Sequence, residues 1–279
     1  MKHKKILALF ATLIVAVTLS ACSAKGTAAP ANATTSTTPT FYFHGYSGSA
    51  NSTNHLIQYA VTNYHAHKVY QAVVDTNGEV TLKGRWPKST KNPIVQVVFK
   101  DNKNANLQTD AKWIKNVLQA VNRKHHFANY NVVAHSMGNL GFMYYVLFQQ
   151  HTFNAPKLHK QVNIAGHFDG IVGMDDEPNR NTLTKSGRPT ILDARYKEML
   201  RNRDNFPKQQ VDILNIYGNK DDGTNSDGDV TNVSSRSLRY LLRSRYKNYT
   251  EMMFTGAKAQ HSQLHENDGV AKAVNDYLY

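Results

Sequence analysis

The stretch Tyr130-Asn131-Val132-Val133-Ala134-His135-Ser136-Met137-Gly138 decides how this chain reads. Tyr130 to Val133 is a largely apolar, β-prone run, and Asn139 to Gln150 carries a helical pattern, so Ser136 stands where a buried strand turns into a helix. Such a turn crowds neighbouring backbone and strains the dihedrals of its central residue, which is why small side chains flank it. Gly138 meets that need on one side, and Ala134, whose methyl is still small enough, on the other. A serine in this place is either a helix N-cap or a nucleophile held clear of the sheet. Partners elsewhere in the chain decide between the two.

Strand-like runs lie at Thr40 to Phe43, Val69 to Val74, Glu79 to Leu82, Ile94 to Phe99, Tyr130 to Ala134, Gln161 to Ala165, Asp212 to Tyr217 and Glu251 to Phe254. Helical patterns fall between many of them. The clearest spans Asp110 to His125, where Trp113, Val117, Leu118 and Val121 make one apolar stripe. Others run from about Ser52 to His65, Met137 to Gln150, Ser234 to Arg245 and Gly269 to Leu278. This alternation predicts an α/β fold with a mostly parallel central sheet and helices on both faces. Asn77-Gly78 between two short runs predicts an antiparallel hairpin early in the sheet. From His167 to Gln210 the pattern weakens to turns and one helical stretch, Ile191 to Arg201, and reads as an insertion over the strand ends, after the sixth strand.

Three further segments carry chemistry. Phe43-His44-Gly45-Tyr46-Ser47-Gly48 breaks the first strand into a glycine-containing loop that can aim an amide into a site, and an oxyanion needs two such donors. The amides of Tyr46 and Met137 are the candidates. After the seventh strand, Asn219 to Val230 offers the aspartates Asp221, Asp222, Asp227 and Asp229, any of which could orient a histidine. An EF-hand reading of this loop fails, since Gly223 and Ser234 stand where ligands are required. Downstream of the last strand lies Gln260-His261-Ser262-Gln263-Leu264-His265, with His261 first and His265 second as general base. Zinc is disfavoured because Ser262 follows the first histidine where a metalloprotease helix needs glutamate.

Serine, acid and histidine occur in that order, each after a separate strand, which differs from the orders of chymotrypsin-like and subtilisin-like enzymes. On these residues the chain resembles the α/β-hydrolases over about residues 40–279. Asp227-Gly228-Asp229-Val230 followed by Ser234-Ser235 resembles the acid segment of bacterial lipases, which favours Asp227 over Asp221 and Asp222. The wording Phe43-His44-Gly45-Tyr46, Ala134 to Asn139, Asn225 to Val230 and His261 to Asn267 is similar to a family of cell-surface hydrolases of Gram-positive bacteria. The resemblance implies a serine hydrolase cleaving a small carboxylic ester, with Ser136, His261 and Asp227 as triad and no metal or organic cofactor. Thioesterase, amidase and peptidase chemistry use the same groups, and a non-enzymatic binding module on the same fold is the competing class.

The amino terminus gives the setting. Lys2, Lys4 and Lys5 precede an apolar run from Ile6 to Leu19, the layout of a secretory signal and too short to span a bilayer comfortably. Leu19-Ser20-Ala21-Cys22 resembles the lipobox of bacterial lipoproteins, in which the cysteine is acylated. The expected organisation is a signal over residues 1–21, a flexible stalk over 22–39 that is poor in large apolar residues, and the hydrolase domain over 40–279. Cys22, the sole cysteine, can form no internal disulfide and is the expected lipid anchor, placing the protein outside the cytoplasm on the membrane. Loss of the three signal lysines lowers the formal net charge from +13 to +10, which suits anionic lipid heads or anionic cell-wall polymers as partners. Basic residues are scattered, and no nucleic-acid motif accompanies them.

Overall fold

The computed structural model describes residues 36–279; the signal expected over 1–21, Cys22 and most of the stalk expected over 22–39 lie outside the described residues. The sheet is built on short apolar runs that the helices cover: β1 Thr40–Phe43, β2 His67–Val74, β3 Val80–Gly84, β4 Pro93–Phe99, β5 Asn129–His135, β6 Lys157–Ile164, β7 Asp212–Asn219 and β8 Asn248–Thr255. Their order is β3-β2-β4-β1-β5-β6-β7-β8. Only β2 and β3 pair antiparallel. Asp75 Oδ1 accepts from the amides of Asn77 and Glu79 at 3.0 and 2.9 Å, closing the Asn-Gly turn between those two strands.

Period-two alternation sends successive side chains to opposite faces. Phe41 and Phe43 of β1, with Val132 and Ala134 of β5, enter one core. Tyr42 and Val133, one residue out of step, enter the other. Helices α2 (Leu107–Lys124) and α3 (Met137–Tyr144) cover the first face, whereas α1 (Asn51–Asn63) and α7 (Asp268–Leu278) cover the second. All four residues of the α2 stripe are buried. Each such large apolar side chain contributes roughly 1.5–3 kcal/mol on burial. Asn106 caps α2 by accepting from the amides of Gln108 and Thr109.

The remaining helices are short: α4 (Ala194–Asn202), α5 (Asn232–Arg236) and α6 (Leu238–Leu241). The continuous helix expected over Ser234 to Arg245 is interrupted at Ser237, whose hydroxyl bonds to the Ser234 carbonyl at 2.7 Å while Tyr196 donates to its own carbonyl at 2.8 Å. The run expected to be helical from Met137 to Gln150 is α-helical only to Tyr144 and continues as a π turn over Tyr145–Gln149. Between β6 and β7 the chain leaves the sheet. That segment contains α4 and a narrow arm whose Leu183 and Pro189 form a bridge. Tyr144 donates to Glu198 at 2.7 Å, tying α4 to the end of α3.

The strand order fixes where a ligand can sit. The chain builds one half of the sheet through β4, then crosses β1 to begin the other half with β5, so β1 is where the winding reverses. The crevice beyond the carboxyl ends of strands at such a reversal is the usual binding place in open α/β sheets. Phe43 pairs with Ala134 in register, which sets the loop after β1 beside the turn after β5.

Candidate active site

Ser136 occupies the sharp turn between β5 and α3 with φ +52° and ψ −126°, a conformation unfavourable for any residue with a Cβ. Several bonds hold it there. The Ser136 amide donates to the Ile164 carbonyl at 2.9 Å, and Asn139 Nδ2 donates to the carbonyls of Ser136 and Ile164 at 3.1 and 2.9 Å. Close approach of the β1 loop accounts for two glycines. A Cβ on Gly138 would lie 2.6 Å from the His44 carbonyl oxygen, and one on Gly45 would lie 2.8 Å from Ser136 Cβ. Ala134, in place of a glycine, buries its methyl in the first core.

His261 reaches Ser136 from the loop after β8. Its Nε2 lies 2.8 Å from Ser136 Oγ and its Nδ1 lies 2.9 Å from Asp227 Oδ2. A carboxylate can only accept, so Nδ1 carries the proton, leaving Nε2 to accept from the serine hydroxyl. The other oxygen of Asp227 accepts from the amides of Asp229 and Val230 at 3.0 and 2.7 Å. The His261 amide donates to the Asp227 carbonyl at 2.9 Å, so the two loops are joined by backbone as well as side chain. All three side chains are buried: Ser136 and His261 are 6% exposed and Asp227 is 1% exposed. Burial by itself would lower the His261 pKa; the hydrogen bond and charge of Asp227, with Asp229 behind, outweigh it and hold the pKa above the ordinary histidine value.

Of the alternative acids, Asp222 pairs with Lys220 at 2.9 Å on the surface, and Asp221 is exposed. His265 stands aside from Ser136 and bonds to Glu266 at 3.1 Å. The loop after β1 is pinned by His44, whose Nε2 accepts from the Phe99 amide at 3.1 Å while Nδ1 donates to the Gly45 carbonyl at 2.8 Å. The Ser47 amide donates to the Asn102 carbonyl at 2.6 Å. Between these bonds the Tyr46 amide has no protein acceptor among the described residues. Met137 opens α3, where an amide has no acceptor within the helix. The geometry can thus pass a proton from serine to imidazole beside a carboxylate, with two amides at the adjoining loop ends.

Two buried histidines were not anticipated from sequence. His135 donates from Nε2 to the His261 carbonyl at 3.0 Å, its ring 4.9 Å from that of His261 and 4.7 Å from that of His265. Burial, with the neighbouring histidines, holds its pKa well below the ordinary value, so it is a neutral donor. His167, just after β6, is pushed down to about 3 by burial, with Arg195 and His261 adding to the shift, and its Nδ1 has no partner. Adjacency to Ser136 is the only sequence signal for His135, and one of thirteen histidines is hard to single out that way. Asp169 was also missed; it sits buried at the root of the insertion, where it accepts from the Asp193 amide at 2.9 Å and Asn181 Nδ2 at 3.1 Å.

The fold is shared with solved proteins of related description. A Listeria innocua protein, the lin2722 gene product, superposes with a TM-score of 0.78 at 24% identity, covering 86% of this chain and 93% of that one. A Lactobacillus plantarum WCFS1 protein described as a candidate cell surface hydrolase gives a TM-score of 0.71 at 24% identity, covering 86% and 91%. None of the curated proteins matches the chain in sequence. No helix among the described residues is long and apolar enough to cross a membrane. Residues 27–279 match the family described as alpha/beta hydrolase of unknown function (DUF915), and the chain belongs to that family.

Proposed function

We propose that this protein is a serine hydrolase that cleaves carboxylic esters through an acyl-enzyme. The observation that carries the reading is the continuous chain of hydrogen bonds from Asp227 through His261 to a serine held at positive φ. Ser136 Oγ attacks the acyl carbon as His261 Nε2 takes its proton. Negative charge moves to the carbonyl oxygen, where the amides of Tyr46 and Met137 receive it; loss of one such donor typically costs about 2.7–4 kcal/mol. The C–O bond then breaks, His261 returns the proton to the departing alkoxide, and an acyl-serine remains. Water, deprotonated by His261, attacks that ester; the acid leaves and Ser136 regains its proton. Asp227 holds the imidazole in the required tautomer and stabilises the imidazolium.

A small soluble ester is preferred over a lipid because the segment between β6 and β7 is rich in Asp, Arg, Asn and Lys and offers little of the apolar face a lipid-opened lid needs. A fluorophosphonate probe tests the reading. Wild type should be labelled and Ser136→Ala should not; a folded wild type that stays unlabelled would refute it. Acylation of Cys22 would then hold the enzyme outside the cytoplasm, each buried methylene of the acyl chains contributing about 0.8 kcal/mol. Recovery of Cys22→Ala in the membrane fraction, rather than the soluble one, would count against the anchor.

A further inference from the structure

We infer that a groove on the insertion side of the molecule, separate from the Ser136 centre, binds a hydroxyl-rich polyanionic chain. The arm of the insertion around Leu183 lies alongside α5, leaving two adjacent cavities of about 430 and 480 Å³ that share Leu183 and Arg236 in their walls. Their linings differ. The first is bordered by Asn179, Asn181, Asn225 and Asn232 with Thr182 and Thr231, and by one acid, Glu177, which pairs with Arg180 at 3.9 Å. The second is bordered by Lys185, Arg236 and Arg239, with the hydroxyls of Thr184 and Ser186 and one acid, Glu251.

The basic half carries a surplus of charge. Glu251 is occupied by Arg236 at 3.2 Å, whereas Lys185 and Arg239 form no ion pair among the described residues. Arg239 instead lies over the Tyr249 ring at 6.0 Å, which holds its guanidinium in place without neutralising it. The amide half presents the exposed side chains of Asn179, Thr182 and Asn225 to a ligand. Amides and hydroxyls next to unpaired cations match a chain that alternates hydroxyls with anionic groups. The basic half presents mainly polar surface, which suits a hydroxyl-rich chain better than the apolar side chains by which a peptide would be held. Its concave form takes an extended chain. The groove abuts Thr231, four residues beyond Asp227, so a chain lying in it passes beside the loop that carries the acid.

The test uses detergent-solubilised full-length protein and a fluorescent glycerol-phosphate oligomer, titrated by anisotropy at several salt concentrations, with an oligogalacturonate as the carboxylate counterpart. Binding of either is expected to weaken at least tenfold in Lys185→Gln/Arg239→Gln, and the slope of log affinity against log salt should fall by about 0.7 for each cation removed. Thr182→Val should weaken binding while leaving that slope unchanged. Whichever oligomer binds more tightly identifies the anion. Equal affinity in wild type and the double variant, equal binding of neutral dextran, or failure of both oligomers to bind would overturn the inference. Circular dichroism and urea unfolding of all variants should match wild type, which verifies folding and keeps this result independent of the Ser136 reading.

Discussion

Two clusters built around buried aspartates lie on the segments after β6 and β7, and the same side chain does different work in each. Asp227 faces an imidazole, which it meets with one oxygen while backbone amides fill the other. Asp169 faces only neutral donors, the Asp193 amide and Asn181 Nδ2. Around it Ser234 donates to the Gly170 carbonyl and Thr231 donates to Asp176, joining the insertion to the start of α5. Val172 also donates to the Asp229 carbonyl at 2.8 Å, so the second cluster buttresses the loop on which the first depends. Burial, helped by the nearby charges of Asp193 and Asp176, pushes the Asp169 pKa up to about 7, although its hydrogen bonds to the Asp193 amide and Asn181 work the other way. What a buried aspartate does is therefore read from the group in front of it: an imidazole calls for its charge, whereas loop amides need only its oxygens.

Replacing each acid by its amide should separate the two most sharply. Asp227→Asn is expected to lower kcat for a p-nitrophenyl ester by about 10⁴-fold, because an amide at this position favours the wrong imidazole tautomer. Asp169→Asn should stay within about tenfold of wild type, since no atom of it touches the serine or the imidazole. Comparable losses in the two variants would erase the distinction. The pH profile carries the same contrast. In the proposed mechanism neutral His261 is the base, so kcat/KM of wild type should fall as pH drops through a pKa above the ordinary histidine value. In Asp227→Asn the residual activity should show that limb at lower pH, because the charge and hydrogen bond that raise the pKa are gone.

His135 lies between the clusters in expected effect. It touches the proposed base only through the His261 carbonyl, so in that mechanism it is a positioning residue. His135→Phe keeps an aromatic ring but cannot donate, and kcat should fall about 10–100-fold with KM little changed. Gln, which can donate, should restore part of the loss; equal rates for Phe and Gln would show that ring packing alone matters.

This gradient also follows what could be read from the sequence. The β-branched and aromatic runs marked all eight strands, and Asn77-Gly78 marked the hairpin, because these signals are local. Strand limits were harder where charge interrupts the pattern: β6 begins at Lys157, before the expected Gln161, because Lys157 and His159 point to solvent and Leu158 is the one apolar residue among the first four. The edge strand β8 extends beyond Glu251 to Phe254 on both sides, its exposed positions concealing it. Ser136, Asp227 and His261 come together in space as their order suggested. The contact of His135 with a residue 126 positions away, and the whole Asp169 network, depend on how loops without periodicity pack, and no local signal encodes that.

The smallest effect is on stability, and it tests the second cluster alone. A carboxyl whose pKa rises on folding makes the folded state bind more protons than the unfolded one between the two values, so stability falls as pH rises through that window. For Asp169 the window runs from the ordinary carboxylate value to about 7. Within it the slope from a single group is at most about 1.4 kcal/mol per pH unit. Asp110, beneath the β1 loop and pushed up to about 6 chiefly by burial, adds to the same fall. His135 and His167 oppose it, since their lowered values make stability drop as pH falls below the ordinary histidine range. The net curve of wild type therefore mixes signs, and the informative quantity is the difference between wild type and Asp169→Asn in urea unfolding from pH 4.5 to 7.5. Relative to wild type the variant should gain stability steadily as pH rises, whatever the fixed effect of exchanging an oxygen for an amide opposite Asn181. A pH-independent difference would mean that Asp169 is charged throughout, as a carboxylate facing a cation would be, and the contrast with Asp227 would then rest on geometry alone.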